Sequence, residues 1–240
     1  MSSKYPGGFI TKSPVAPTSS AASGMWTLDQ AMQLQKQGNW PSPPPSVIGQ
    51  AYGGGYYAGQ IGVSGVATHY LVVGPVSTAQ NTNKQYKTSA TSTTGASSDI
   101  DGPANSAAMN ATNHPAAFFC EGLTIGGFTD WYMPAKNELE VCYFNLKPTT
   151  TANNTTTFPS GINPNSVPAR TSNYTSGDPT QTTATNFRST GAEGFAQTYY
   201  WASTEETSST GWRQRFTNGS QNGYQKNYGI YVRAIRRVAV

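Results

Sequence analysis

The stretch 199–238 constrains the fold of this chain more than any other segment. Within it, large apolar residues alternate with polar ones at a period of two, the spacing of a strand that buries one face. Trp212, for example, falls on one side of residues 211–216, whereas Arg213 and Arg215 fall on the other. The segment therefore predicts three strands, over residues 199–204, 211–216 and 228–238.

Two Asn-Gly pairs lie between these strands and predict tight turns. Asn218-Gly219 follows the second strand directly, and Asn222-Gly223 repeats the signal a few residues later. Both central residues of a two-residue hairpin turn need positive φ, which Asn and Gly adopt more easily than other residues. We therefore expect a turn at each pair.

The residues in and beside these strands are of the types that recognition surfaces favour. Tyr and Trp give a large contact area at little cost in conformational entropy, and Ser, Gly and Asn give adaptable hydrogen bonds. A tyrosine-rich sheet with ordinary turns has the same composition, so that alternative stays open. The candidate ligand contacts are Tyr199, Glu205, Thr207, Ser209, Trp212, Arg213, Asn218, Ser220, Asn222, Tyr224, Asn227 and Tyr228.

The charge content argues against several classes of partner. Charged residues are 11% of the 240 residues, well below the roughly 25% usual in soluble domains. The formal net charge of +4 is too small and scattered for the basic stripe of a nucleic-acid-binding protein.

No stretch approaches the roughly 18 apolar residues of a membrane span, and the first residues lack the apolar centre of a secretory leader. We expect no nucleic-acid partner, no membrane insertion and no cleaved leader.

The first 40 residues differ in character from the rest. Residues 1–24 carry prolines among small polar residues, which predicts an extended arm that becomes ordered on a partner. Thr27 and Gln30 form a capping box that begins a short helix over residues 26–39. Docking on another subunit is the favoured role, and folding back on its own domain is the alternative. The residues expected to make that anchor are Trp26, Leu28, Met32 and Trp40.

The remainder of the chain mixes strands with helices, which predicts an α+β fold. A proline-rich linker over residues 41–52 leads into a domain over residues 53–240. Helices are predicted over residues 105–123, which Pro115 kinks or divides, and over residues 135–146, with Pro134 at the first position. Residues 149–198 form a long polar insertion, which we expect to be exposed or functional.

Catalytic chemistry is not evident in the sequence, and we expect no enzyme activity, metal or cofactor. Glu205 and Glu206 are adjacent, so on a strand they point to opposite faces. His69 and His114 are far apart and lack a nucleophile motif. The two cysteines, Cys120 and Cys142, lack metal-ligand spacing; a disulfide is possible, but two buried thiols are favoured.

Several ordered motifs resemble one known family. They are residues 101–105 (DGPAN), 127–134 (GFTDWYMP), 138–139 (EL), 200–204 (YWAST) and 231–236 (YVRAIR). Together they resemble the domain at the C-terminus of Lcl-type collagen-like adhesins, over residues 53–238. The resemblance implies a C-type-lectin-like fold, with two helices packed on twisted antiparallel sheets and long loops on one face. The calcium-ligand loops of such lectins are not seen, so we expect binding without calcium.

Two further resemblances suggest a role. The frame of residues 200–204 and 232–237 is similar to the variable proteins of diversity-generating retroelements, which bind host-surface ligands. Residues 24–28 and 38–41 are similar to the start of virion structural proteins of marine tailed phages. Together they imply a virion protein, assembled in the host cytoplasm, that is attached to other virion proteins by residues 1–40. It would bind a host-surface glycan or protein, as a trimer by analogy. The alternative is a structural capsid-decoration or tail component that binds only virion subunits.

Framework residues are expected to hold this surface from below. They are Asp130, Trp131, Glu138, Trp201 and Arg233. A buried arginine costs too much without a carboxylate nearby, so we predict that Arg233 pairs with Glu138 or Asp130. Arg236 and Arg237 are expected to be surface charges.

Overall fold

The computed structural model describes Pro17, residues 26–36 and residues 45–240. The chain divides into two units, Met1–Pro44 and Pro45–Val240. Most of the predicted arm, Trp40 and the proline-rich run up to residue 44 lie outside the described residues.

The first unit contains one helix, α1 (Leu28–Lys36), among its described residues. Its capping box is confirmed. The Thr27 amide donates to Oε1 of Gln30 at 2.9 Å, and the Gln30 amide donates to Oγ1 of Thr27 at 3.2 Å. Two of the predicted anchor residues are open to solvent, Leu28 with 76% of its surface exposed and Met32 with 48%. Trp26 is half-buried.

The second unit contains two sheets. The four-stranded sheet is antiparallel throughout, in the order β1-β2-β3-β9. Its strands are β1 (Ala51–Tyr52), β2 (Gly55–Val63), β3 (Val66–Val73) and β9 (Ile235–Ala239).

The five-stranded sheet has the order β4-β8-β5-β6-β7. Neighbouring strands are antiparallel except β5 and β8, which run parallel with Tyr200 opposite Tyr231. The expectation of purely antiparallel sheets is therefore wrong at this pair. The strands are β4 (Gln80–Gln85), β5 (Tyr199–Glu205), β6 (Thr210–Arg215), β7 (Gln221–Gln225) and β8 (Gly229–Arg233).

Four helices pack on these sheets, so the described residues form an α+β structure with five α-helices in all. They are α2 (Val76–Ala79), α3 (Gly102–Ala108), α4 (Pro115–Glu121) and α5 (Lys136–Leu146), with a 3₁₀ turn at Thr185–Phe187. The predicted helix is divided: α3 ends at Ala108, residues 109–114 are not helical, and Pro115 takes the first position of α4, where its missing N–H costs nothing. Pro134 precedes the N-cap Ala135 instead of occupying the first helical position.

Two clusters of buried side chains form the core. In the first, Leu139 and Tyr143 of α5 lie with Tyr200 and Phe216. The second lies beside α3 and α4 and contains Trp131, Trp201, Tyr86, Val232 and Met109. Cys120 and Cys142 are both free and buried, which confirms the favoured alternative of two buried thiols.

The C-terminal region differs from the prediction in two places. Residues 228–238 do not form one strand. The chain passes at Ala234 from β8 in one sheet to β9 in the other, and the Ala234 amide donates to the carbonyl of Ala79 at 2.9 Å. Asn222-Gly223 is not a turn but the middle of β7, a strand that the sequence pattern missed. At the other pair a turn does form and Gly219 has a φ of +77°, but Asn218 does not adopt positive φ and the connection between β6 and β7 spans residues 216–220, so the predicted two-residue hairpin turn is wrong in type.

The long insertion, residues 149–198, is packed against α5 instead of lying loosely in solvent. The carboxylate of Glu140, which is fully buried, accepts from Nδ2 of Asn163 at 2.6 Å and from the Tyr174 hydroxyl at 2.5 Å. It also forms an ion pair with Arg170. Polar side chains of the insertion thus find their partners on the helix, and Tyr174, Phe187 and Phe195 are buried in the first core cluster. The small number of apolar residues in the insertion did not indicate this packing.

We expect the free energy of unfolding to fall as the pH drops below about 6.5, the ordinary histidine value, because of His114. The ring is buried, with Nε2 3.1 Å from Oγ1 of Thr93 and Nδ1 2.9 Å from Oδ1 of Asn113. Burial, together with the charges of Lys87 and Lys226 and against that of Glu205, lowers the pKa of His114. The unfolded chain therefore takes up the proton first, and stability declines until the pH passes below the folded pKa.

Urea unfolding at pH 7.5 and pH 5.5 measures this effect. The slope cannot exceed about 1.4 kcal/mol per pH unit for one proton. Burial also lowers the pKa of His69, so the pH dependence of the wild type contains both histidines. His114→Asn is expected to reduce it, and His69→Asn measures the part that comes from His69. An unchanged pH dependence in His114→Asn would contradict the assignment.

Candidate functional site

Three arginine–carboxylate pairs form the framework around the C-terminal strands, with partners other than those predicted. Arg233 is fully buried as expected, but its carboxylate is that of Glu193, with Nη2 and Oε2 2.9 Å apart. Its Nε donates to the carbonyl of Gly74 at 2.8 Å. The predicted pairing with Glu138 or Asp130 is therefore wrong, because the partner comes from the polar insertion.

The two predicted carboxylates serve the neighbouring arginines. Asp130 accepts from Nε and Nη2 of Arg236 at 2.7 Å and 2.8 Å, and Glu138 accepts from Nε of Arg237 at 2.6 Å. The expectation that Arg236 and Arg237 are surface charges is therefore wrong: Arg236 is buried and Arg237 half-buried. Glu138 is fully buried, and burial raises its pKa against the opposing effect of Arg237.

The two framework tryptophans are buried, and each indole N–H has a partner. Nε1 of Trp131 donates to the carbonyl of Phe128 at 3.1 Å, and Nε1 of Trp201 donates to the carbonyl of Lys84 at 2.9 Å. The ring of Tyr86 lies edge-on to Trp201 at 5.7 Å between centroids. The rings of Trp201 and Tyr86 occupy the inner half of one face of the five-stranded sheet.

A row of tyrosine rings and guanidinium groups lies along the outer half of that face, and we call it the Tyr–Arg stack. It consists of Tyr228, Tyr224, Arg213, Tyr199 and Arg215. The guanidinium of Arg213 lies between two rings, with Cζ 3.7 Å from the Tyr224 centroid and 3.8 Å from the Tyr199 centroid. Cζ of Arg215 lies 5.5 Å from the Tyr199 centroid, and the Tyr224 and Tyr228 centroids are 5.4 Å apart.

Strand register explains why these residues meet. Tyr199 is opposite Arg215 across β5 and β6, Arg213 is opposite Asn222 across β6 and β7, and side chains two apart on a strand share a face. Nε of Arg213 donates to Oδ1 of Asn222 at 2.9 Å, which orients the guanidinium.

Gly211 continues the same row of β6 and makes room for Tyr86. A Cβ at Gly211 would lie 2.7 Å from Cδ2 of Tyr86, so the ring can pack there only because the side chain is missing. The Tyr224 ring in turn lies 6.0 Å from that of Trp201. The buried rings of Tyr86 and Trp201 therefore pack beside the Tyr–Arg stack and support it.

The stack remains accessible although its members contact one another. Tyr199, Arg213, Arg215 and Tyr224 are half-buried, and Tyr228 has 56% of its surface exposed. Burial lowers the pKa of the Arg213 guanidinium, and the neighbouring Tyr199 and Tyr224 oppose that effect.

Other residues that were predicted to contact the ligand lie outside the Tyr–Arg stack. Glu205 forms an ion pair with the buried Lys226 at 2.7 Å and accepts the Thr93 amide at 2.6 Å, which is a structural role. Thr207 and Ser209 lie in the turn between β5 and β6, and Asn218 and Ser220 lie in the turn between β6 and β7. Asn227 is exposed beside Tyr228, and its carbonyl accepts from Gln85.

Trp212 lies on the opposite face of the sheet from Arg213. Nζ of Lys136 lies 4.8 Å from its ring centroid and pairs with Asp99 at 2.7 Å. Trp212 and Phe158 line a cleft of about 390 Å³, and Phe158 has 74% of its surface exposed. The predicted contacts thus divide between two faces.

The sequence prediction missed Arg215 as a member of the stack. The signal was present, because the period-two alternation that placed Arg213 outward placed Arg215 beside it. The sequence prediction also missed that Trp201 supports the stack through Tyr224, because this contact joins β5 and β7, which are separated by β6 in the sheet.

Comparison with known proteins gives no family for this chain. No protein-family model matches the sequence, and no curated protein matches it either. The resemblance to Lcl-type adhesins therefore stays a prediction. Within the described ranges, no helix has the length and apolar character needed to cross a membrane. No cluster of three or more His, Cys, Asp and Glu side chains suited to a metal ion occurs in the part of the chain that is described.

Proposed function

We propose that this protein is a recognition module that binds a ligand through the Tyr–Arg stack. The observation that carries the proposal is the position of Arg213 between Tyr199 and Tyr224, on an accessible sheet face with Tyr228 exposed at its end. Tyr and Arg, together with Trp, are enriched at energetic hot spots of binding surfaces.

The buried framework supports the same proposal. A binding surface needs side chains that are held in place before the ligand arrives, since ordering them afterwards weakens affinity. Here the stack rests on Trp201 and Tyr86, and Arg213 is oriented by Asn222. The α+β architecture, with two sheets and helices on them, is compatible with the C-type-lectin-like fold that the motif resemblance implies.

The resemblances of residues 24–28 and 38–41 extend the proposal to a setting. We propose a tailed-phage virion protein, attached to other virion proteins through residues 1–40, whose second unit binds a molecule of the host surface. The exposed Leu28 and Met32 of α1 are available for that attachment. Several copies on one particle would give avidity from modest single affinities.

Replacing both Tyr224 and Tyr228 by serine is expected to weaken binding to host cells at least about 30-fold. Truncation of a hot-spot aromatic costs about 2 kcal/mol or more, and 1.4 kcal/mol is tenfold. Flow cytometry of labelled protein on a panel of host bacteria measures the effect. Tyr52→Ser with Tyr70→Ser is the matched control, since those rings pair on the four-stranded sheet away from the stack.

Measurements of adsorption and assembly with whole particles distinguish the recognition function from the structural alternative. Loss of adsorption by particles that assemble normally supports recognition. If particles carrying the stack variant adsorb normally but assemble poorly, the protein is instead a structural component that binds other virion subunits.

A further inference from the structure

We propose that a group of buried charged side chains beside the Tyr–Arg stack is an acid-sensitive switch, which weakens ligand binding at mildly acidic pH. We call this group the lysine–histidine cluster, and its members are Lys87, His114, Glu205 and Lys226. Protonation of His114 opens the loop formed by residues 88–95 and loosens the Lys226 contacts that position Tyr228. The inference rests on the proposed function and describes a regulation of the same site.

The lysine–histidine cluster holds more positive than negative charge. Lys87 and Lys226 are both buried, and Nζ of Lys226 pairs with Oε2 of Glu205 at 2.7 Å. Within the described part of the chain, Lys87 has no ion-pair partner. Backbone carbonyls of the loop solvate the two ammonium groups instead: the Thr91 carbonyl accepts from Lys226 at 2.9 Å and from Lys87 at 3.3 Å, and the Ser92 carbonyl accepts from Lys87 at 2.5 Å. The loop therefore closes over two cations and one anion.

His114 holds the same loop through Thr93. Nδ1 of the ring lies 2.9 Å from an acceptor, Oδ1 of Asn113, so in the neutral ring Nδ1 carries the proton and Nε2 accepts from the Thr93 hydroxyl at 3.1 Å. The Thr93 amide donates to Oε2 of Glu205 at 2.6 Å. Protonation of the ring places a hydrogen on Nε2, and the Thr93 hydroxyl then loses its acceptor. This hydrogen bond therefore depends on a neutral histidine.

Charges on other elements oppose the protonation of His114 while the loop is closed. The charged groups that face the ring are Lys87, two residues beyond β4, Lys226, the residue after β7, and Glu205, the last residue of β5. Burial lowers the pKa of His114, the two lysines lower it further, and Glu205 opposes them. In the open form the ring regains water and its ordinary pKa of about 6.5. The open form therefore takes up the proton first as the pH falls, and acidification favours opening.

Lys226 connects the loop to the end of the Tyr–Arg stack. Its Nζ also donates to the carbonyl of Ser208 at 2.9 Å, so one ammonium joins the loop to the turn between β5 and β6. The same ammonium lies 5.4 Å from the ring centroid of Tyr86, which supports the stack. Tyr228, the exposed end of the stack, follows Lys226 by two residues. Opening the loop therefore loosens the segment that carries Tyr228.

The size of the effect follows from the uptake of one proton. A group that titrates at about 6.5 in the open form and well below that value in the closed form changes the opening equilibrium by at most about tenfold between pH 7.5 and pH 5.5. Seven of the eight residues in the loop are exposed, and its contacts with the cluster are polar. Such segments open locally at a lower free energy than the whole domain.

Hydrogen exchange of the Thr93 amide, followed by NMR on the full chain at pH 7.5 and pH 5.5, measures loop opening without a ligand. After correction for the intrinsic effect of pH on exchange, we expect opening to increase about three- to tenfold at pH 5.5. His114→Asn should abolish this increase. His114→Gln, whose amide reaches the position of Nε2, is the second variant if His114→Asn folds poorly.

His69→Gln is the matched control for the exchange measurement. His69 is also a partly buried histidine, but it lies in β3 with Nδ1 beside the Thr68 hydroxyl, on the other sheet. Its replacement should leave the pH dependence of Thr93 exchange unchanged.

Binding of labelled protein to host cells at pH 7.5 and pH 5.5 tests the connection to the stack. We expect wild-type binding to weaken about three- to tenfold at pH 5.5, in step with loop opening. His114→Asn should bind equally at the two pH values. Because both proteins meet the same cells, titration of the cell surface itself would affect them alike and is separated from the switch.

Three results would overturn the inference: the same pH dependence of Thr93 exchange in His114→Asn as in the wild type, wild-type binding that does not change while the loop opens, or a loss of binding at pH 5.5 that persists in His114→Asn. Failure of the proposed function is distinguishable from all of these. It appears at pH 7.5 as a Tyr224/Tyr228 double variant that binds cells like the wild type, whereas the exchange measurement needs no ligand.

Discussion

Glu193→Ala is expected to destabilise the protein by about 3–5 kcal/mol, the usual cost of leaving one partner of a buried ion pair alone. Arg233 would lose its carboxylate while remaining fully enclosed, and it would keep the carbonyls of Gly74 and Glu193 as acceptors. The same Glu193 oxygen also accepts the amide of Val76 at 2.8 Å, at the start of α2. One substitution therefore affects the insertion, a central strand and a helix at once.

Urea unfolding measures the loss, and limited proteolysis shows whether the insertion opens first. Glu206→Ala is the matched control, because its exposed carboxylate accepts from the Thr210 hydroxyl and forms no ion pair among the described residues, and such surface changes usually lie within about 0.5 kcal/mol. Equal effects of the two substitutions would show that the Arg233 pair is not a structural link.

Trp201→Ala is expected to lower the free energy of unfolding by about 3–5 kcal/mol, since it removes a fully buried indole from the second core cluster. The Lys84 carbonyl loses its donor, and the rings of Tyr86 and Tyr224 lose the surface on which they rest. Ligand binding should fall in parallel, because Tyr224 belongs to the Tyr–Arg stack.

Thermal melting and urea unfolding give the stability, and whole-cell binding gives the functional effect. Trp212→Ala is the matched control: the same side chain is removed from the adjacent strand, but from a half-buried position on the opposite face. We expect a clearly smaller loss of stability there. A similar loss in both variants would mean that Trp201 has no special role under the stack.

Local features of the fold could be predicted from the sequence. Three features each depend on residues that are close together in sequence. They are the capping box of Thr27 and Gln30, the start of α4 at Pro115 and the alternation along β6. Such signals act through backbone geometry that neighbouring residues determine. The same holds for the turn at Gly219.

Features that depend on distant residues could not be predicted. Asn222-Gly223 favours a turn locally, yet pairing of β7 with β6 holds it extended. Residues 228–238 look like one strand, because nothing local marks Ala234 as the point where the chain changes sheet. The pairing of Arg233 with Glu193 joins the last strands to the polar insertion, which has no periodic pattern to place it.

For the candidate site, the sequence predicted which residue types take part better than it predicted how they are arranged. Residue types identified Tyr199, Arg213, Asn222, Tyr224 and Tyr228, which the fold brings together on one face. Trp212 and Arg213 are adjacent in sequence and so lie on opposite faces, although both were placed in one surface. The guanidinium between two rings depends on the register of three strands, which the sequence pattern alone does not determine.

The pairing of β3 with β9 has a consequence for how the protein acquires its structure. Val238 lies opposite Tyr70, and Ile235 opposite Val73, so residues near the two ends of the second unit are hydrogen-bonded neighbours. Joining such distant segments requires closing a long loop first, and proteins dominated by these contacts fold in milliseconds to seconds, not microseconds. Until β9 arrives, the edge of β3 remains available to other chains, and we expect refolding yield to fall as protein concentration rises.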